Sequence, residues 1–206
     1  GESEYGGNGL GNESDKIRNL EEVLENQIGD HPSNWVDEKV STQELSPYTY
    51  PDEKKLRDKG IKAFYFSYFF KWDVYENYQF VKEKYGFLEN KSRISGTFQN
   101  YDSMDDKIDP LYYYMQYIKF GFGRALRDSS RLIQNNHLKR QEAIKLVEKY
   151  DGEYPDRYLR EVLDYLDIKQ VEFEVLCDKF RSPHLWVKVN GGFKLRHTAT
   201  KEGHDD

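Results

Sequence analysis

The chain has 206 residues, 37% hydrophobic and 33% charged, with a formal net charge of -6, and its 17 Tyr, 12 Phe and 3 Trp give 32 rings. Length allows one sizeable domain or two small ones, and so many large apolar rings exclude wholesale disorder. The acid excess without a basic run argues against general nucleic-acid binding, and no stretch approaches the roughly 20 apolar residues of a membrane span.

The opening, GESEYGGNGLGNESD, has neither the basic nor the apolar part of a signal peptide. A single cysteine, Cys177, permits no intrachain disulfide and no cysteine-based zinc site, so a reducing, cytoplasmic setting is expected. Residues 1–60 carry 14 acidic and 7 basic side chains, which leaves the remainder nearly neutral. No internal repeat of fixed period is found.

Residues 1–14 are rich in Gly, Asn, Ser and Glu and read as a loop. Ile17, Leu20 and Leu24 mark a modest amphipathic helix over 15–27, whereas 29–50, with Pro32 and Pro47, reads as irregular. Pro51, Asp52 and Glu53 open a short helix over 51–58. Residues 61–90 hold 12 of the rings: IKAFYFSYFF predicts a buried strand, DVYENYQFVKEKYG a helix closed by Gly86, and the block as a whole is expected in the core.

From Asp109 onward the pattern is helical. Asp109 and Pro110 open a helix with Leu111, Tyr114, Met115 and Ile118 on one face, ending near Gly121. A second helix places Phe122, Leu126, Ser129 and Ile133 inward, and a third does so with Ala143, Ile144, Val147 and Tyr150 before Gly152. Pro155 starts a fourth with Leu159, Val162, Leu163 and Leu166 on one side, and a fifth runs from about 168 to 180 through Val171 and Val175. LWVKVNGGFKL predicts a hairpin turning at Asn190 and Gly191, followed by a loose tail.

Chemistry concentrates at Lys119-Phe-Gly-Phe-Gly-Arg124, where two glycines allow close backbone approach and the following helix presents free N–H groups to an anion. Arg124, Arg127 and Arg131 share one helical face, with Asp128 one turn after Arg124. A phosphate or pyrophosphate fits such a site. The plainer alternative, favoured on spacing alone, is a solvated face whose arginines pair with Asp128 and neighbouring acids.

Glu2 and Glu4 lie close enough to hold a magnesium ion, although acidic glycine-rich loops are commonly just solvated. Asp102, Asp105 and Asp106 before Lys107 are ambiguous in the same way, with helix capping as the alternative. The five histidines show no ligand spacing, which leaves surface or capping roles for them. Cys177 reads as a packing residue.

The stretches GESEYGG, FFKWDVYENYQFVKEKYGF, GTFQNYDSMDDKID, YIKFGFGRALRDSSRLI, LKRQEAIKLVEKYDGEYP and KVNGGFKLRH, in unbroken order from residue 1 to about 197, resemble the C-terminal part of the N-acetyl sugar amidotransferase family. These are PP-loop ATPases of lipopolysaccharide O-antigen and related glycan biosynthesis. The resemblance implies conversion of the acetamido group of a nucleotide-linked N-acetyl sugar to acetamidino, with ATP and Mg2+, and ammonia from a partner glutaminase. It further implies Lys119, Arg124 and Asp128 as catalytic candidates, Glu2, Glu4, Gly121 and Gly123 on the cofactor side, with Glu2 and Glu4 at the magnesium, and Asp105, Asp106 and Lys107 toward the sugar nucleotide. Replacing Arg124 by Ala is expected to abolish amidine formation and leave the fold intact.

The family's glycine-rich SGGxDS-type phosphate loop and its N-terminal cysteine motif are absent from these residues, and the chain opens on Gly rather than Met. It is therefore read as a C-terminal fragment, inactive toward ATP alone. The expected fold is mainly α: a helical C-terminal region with the remnant of an α/β PP-loop domain (adenine nucleotide alpha hydrolase-like) and a small β-hairpin, divided at 1–60, 61–181 and 182–206. Two rivals are another PP-loop ATPase, asparagine-synthetase-like or tRNA-modifying, and a non-catalytic helical module that docks the glutaminase or a glycan-assembly partner through the arginine face.

Overall fold

The computed structural model describes residues 31–66 and 69–200, so Glu2, Glu4 and the helix expected over 15–27 lie outside the described residues. The described part is mainly helical, with seven α-helices and one two-stranded antiparallel sheet. The chain divides into two compact units, 1–72 and 73–206.

In the first unit, Pro32 and Pro47 sit in the first turns of two 3-10 segments, Pro32–Trp35 and Ser46–Tyr48. His31 caps the former, its ring accepting from the Ser33 amide, as the capping role predicts. Helix α1 (Glu53–Asp58) is capped by Asp52, whose carboxylate accepts from the Lys55 amide at 2.9 Å.

The stretch 61–70 corrects the sequence reading: its described residues form no strand, and Ile61, Phe64, Phe66, Phe69 and Phe70 are each more than half exposed. Its amides turn back, Phe69 and Phe70 both donating to the Phe66 carbonyl. The rings pair with each other, Phe66 stacked on Phe70 at 4.5 Å. An apolar run specifies burial only where a facing element exists to cover it.

The second unit opens with α2 (Val74–Tyr85), capped by Asp73 and closed by Gly86 in the left-handed region (φ 68°), as the pattern requires. An irregular segment follows, pinned by buried Ile94, Thr97 and Gln99. Helix α3 (Asp109–Phe120) ends at Gly121 (φ 78°) and is the centre of the unit. It packs against α4 (Arg124–Gln134), α6 (Asp156–Tyr165) and α7 (Gln170–Phe180), while α5 (Arg140–Tyr150) pairs with α4.

The core joins Ile118, Leu159, Leu163, Phe173 and Cys177, with Leu111, Tyr114 and Met115 against it. Cys177 is a packing residue as expected: its thiol lies 3.7 Å from the Met115 sulfur, and burial pushes its pKa up to about 11. Strands β1 (Trp186–Val189) and β2 (Gly192–Leu195) pair from Trp186–Leu195 to Val189–Gly192 around Asn190 and Gly191. The hairpin is fastened by the buried Trp186 indole, which donates to the Ile118 carbonyl at 2.8 Å.

Three helix faces differ from expectation. On α6 the buried side is Leu159, Val162 and Leu163, while Leu166, just past its end, lies 44% exposed. On α7 the buried pair is Phe173 and Cys177, with Val171 and Val175 exposed at 71% and 61%. On α4 the buried residues are Arg124, Ala125, Asp128 and Ser129, whereas Phe122 lies 42% exposed. Periodicity alone puts the apolar side chains inward; here a charged stripe takes their place because its partners are buried with it.

Candidate functional site

The stripe on α4 meets the 97–102 segment and α3 in a charge network with a buried centre. The Arg124 side chain is fully buried and lies over the Tyr113 ring, 4.8 Å from its centroid. One terminal nitrogen donates to the Asp102 carbonyl at 2.9 Å, and Nε lies 3.6 Å from Asp128 Oδ2. Its Nε and Nη1 have no hydrogen-bond partner among the described residues.

Asp128 is 2% exposed and is held from two sides: Thr97 Oγ1 donates to Oδ2 at 2.7 Å and Arg127 Nε donates to Oδ1 at 3.1 Å. Arg127 also reaches the Tyr113 hydroxyl and Asp102 Oδ2. Burial raises the Asp128 pKa above the ordinary carboxylate value, and the two guanidinium groups oppose that rise. Burial acts to lower the Arg127 pKa, but Asp128, Tyr113 and Asp102 outweigh it and hold the group charged. Two arginines and two aspartates thus neutralise one another, Arg124 and Asp128 away from solvent and Arg127 and Asp102 partly exposed. The expected pairing is present, yet most of this face is buried rather than solvated.

The start of α4 also departs from the sequence reading. Its N–H groups are not free: Asp151, at the end of α5, accepts from the Gly123 amide at 2.8 Å and the Leu126 amide at 3.2 Å. An internal carboxylate stands where an external anion was expected, since the positive end of a helix takes whichever negative group is nearest. Nothing in the pattern KYDG, read only as a stop signal, announced this.

The remaining candidates are more accessible. Lys119 is exposed, its ammonium lying over the Phe120 and Phe180 rings at 5.5 and 5.4 Å. Gly121 ends α3 and Gly123 begins α4, so each has a structural reason for its place. Asp105, Asp106 and Lys107 are exposed; Asp106 accepts from the Ile108 amide in a turn before α3, which has no side-chain cap, and Lys107 pairs with Glu161 at 2.7 Å.

The start of α4 offers no phosphate cradle for ATP: its amides are taken by Asp151, and Arg124 is closed off from solvent. No described helix is long and apolar enough to cross a membrane.

Fold and network together define a mainly helical domain with a self-neutralising charge cluster centred on the buried Arg124 and Asp128. The chain belongs to the family described as LPS biosynthesis protein WbpG-like, C-terminal domain, whose model matches residues 65–199. None of the curated proteins compared matches the sequence.

Proposed function

We propose that this chain is the C-terminal part of an ATP-dependent N-acetyl sugar amidotransferase of lipopolysaccharide O-antigen or related glycan biosynthesis, working in the cytoplasm with a partner glutaminase. The observation that carries the reading is the family match over residues 65–199, which includes every quoted stretch between FFKWDVYENYQF and KVNGG. When bound, ATP would activate the amide oxygen of the acetamido group for replacement by ammonia; its site, with Glu2 and Glu4 beside magnesium, is assigned outside the described residues.

In this proposal the described residues divide by exposure. Lys119 is a cation free to meet a developing negative charge, and Asp105, Asp106 and Lys107 are exposed hydrogen-bonding groups for the sugar nucleotide. Arg124 and Asp128 are positioning residues: sealed among their partners, they hold α4 to the 97–102 segment and, through the Tyr113 ring, to α3, whose last turn presents Lys119.

The test is mass spectrometry of a nucleotide-linked acetamido sugar incubated with the complete enzyme, its glutaminase, ATP and glutamine. Exchange of oxygen for NH supports the activity, and unchanged substrate contradicts it. Lys119→Ala in that enzyme is expected to slow amidine formation at least about tenfold without altering the melting temperature; unchanged turnover removes Lys119 from the site.

A docking role is favoured by one separate observation, the exposed cluster of Phe64, Phe66, Phe69 and Phe70. If it seats the glutaminase, Phe66→Ser with Phe70→Ser lowers glutamine-driven turnover and spares turnover on added ammonia. Equal turnover with both nitrogen sources, relative to the parent, refutes that role.

A further inference from the structure

Away from the arginine network, the second unit gathers three metal-ligating side chains that are distant in sequence. Asp73, just before α2, is 2% exposed; its Oδ1 accepts from the Tyr75 and Glu76 amides at 3.1 and 3.2 Å. Its Oδ2 lies 2.8 Å from His137 Nε2. His137 is set in place after α4 by its own amide, which donates to the Leu132 carbonyl at 2.8 Å, and by the Tyr75 ring 4.9 Å away. Glu76 stands in the first turn of α2, and one ligand atom from each of Asp73, Glu76 and His137 lies within 4.8 Å of the others.

We propose that Asp73, Glu76 and His137 form a binding site for a divalent transition-metal ion, with Zn2+ preferred over Mg2+. Two carboxylates match its charge, and an imidazole favours a borderline metal over a hard one. Zinc bonds of about 2.0–2.2 Å in a tetrahedron separate ligand atoms by roughly 3.3 Å, so the Asp73–His137 pair opens slightly and the exposed Glu76 side chain swings in.

Helix capping with a histidine partner accounts for Asp73 and His137 but gives Glu76 no part. Asp73 is buried, whereas the His137 side chain is 23% exposed and Glu76 is exposed, so an ion can reach the three ligand atoms from solvent. The inference does not depend on the amidotransferase reading.

Calorimetric titration of the chelator-treated protein with ZnCl2, in the presence of excess Mg2+, tests it. One site per chain is expected, weakened at least about tenfold in Glu76→Gln and in His137→Gln, since losing a ligand costs more than losing its outer support. Co2+ bound in place of zinc gives visible ligand-field absorption in the parent protein and loses it in both variants. Glu76→Gln without metal is expected to melt like the parent, which separates lost ligation from lost folding. Equal zinc affinity in parent and variants, or Mg2+ competing on even terms, overturns the proposal and leaves Asp73 and His137 as a capped ion pair.

Discussion

Arg93 grips Glu153 with two N–H groups while the Gly96 amide donates to the same carboxylate at 2.8 Å, tying the start of the irregular segment to the loop before α6. The Arg93 bond holds the Glu153 pKa below its ordinary 4.5, against the pull of partial burial. A depressed carboxylate contributes stability that is complete above its unfolded pKa and is lost as pH falls through the folded one. The melting temperatures of the protein and of Glu153→Gln are therefore expected to differ near neutrality and to converge as pH falls below 4.5 and through the lower, folded value. A pH-independent difference would deny the linkage. Gly152 carries a second expectation: at φ 74°, a Cβ there would strike the Tyr117 ring. Gly152→Ala is expected to cost about 2–3 kcal/mol in urea unfolding. At this scale the sequence showed Gly152 only as a stop signal; its contact with Tyr117 is set by tertiary packing that spacing does not encode.

Among the elements, helix limits were largely legible because local chemistry decides them. Asp52, Gly86, Gly121 and the Asn190–Gly191 turn stand where capping and turn preferences put them. Faces were less so. On α7, Phe173 and Val171 are both apolar, and only the presence of α3 with Tyr114 and Met115 selects the former for the core. Phe173→Ala is expected to cost about 3–5 kcal/mol, and Val171→Ala less than about 0.5 kcal/mol, measured by chemical denaturation. Comparable losses would mean that the buried side of the helix is wrongly placed. The run at 61–70 failed for a different reason: its apolar content matches a strand, but a strand needs a neighbour to bond, and no sheet is formed there among the described residues.

At the scale of the whole molecule, the helical class and the lipopolysaccharide family were both readable from sequence, the second because ordered stretches, five of them within the matched residues, constrain far more than any single motif. The site was only partly readable. The Arg124–Asp128 pairing follows from one-turn spacing, whereas Thr97, Tyr113 and Asp102 join it from other parts of the chain. Asp73 and His137 lie 64 positions apart, so their meeting had no local signal. Burial also changes the expected outcome of truncating Arg124. A guanidinium at a solvated phosphate site can be removed with little cost to folding, but a sealed one leaves Asp128 and Asp102 short of a partner. Equilibrium unfolding of Arg124→Ala in urea is the most direct measurement of this difference. A loss of about 3–5 kcal/mol is expected if the network is a buried fastening between the 97–102 segment, α3 and α4. An unchanged unfolding midpoint, with amidine formation abolished, would return Arg124 to the reacting groups and contradict the account.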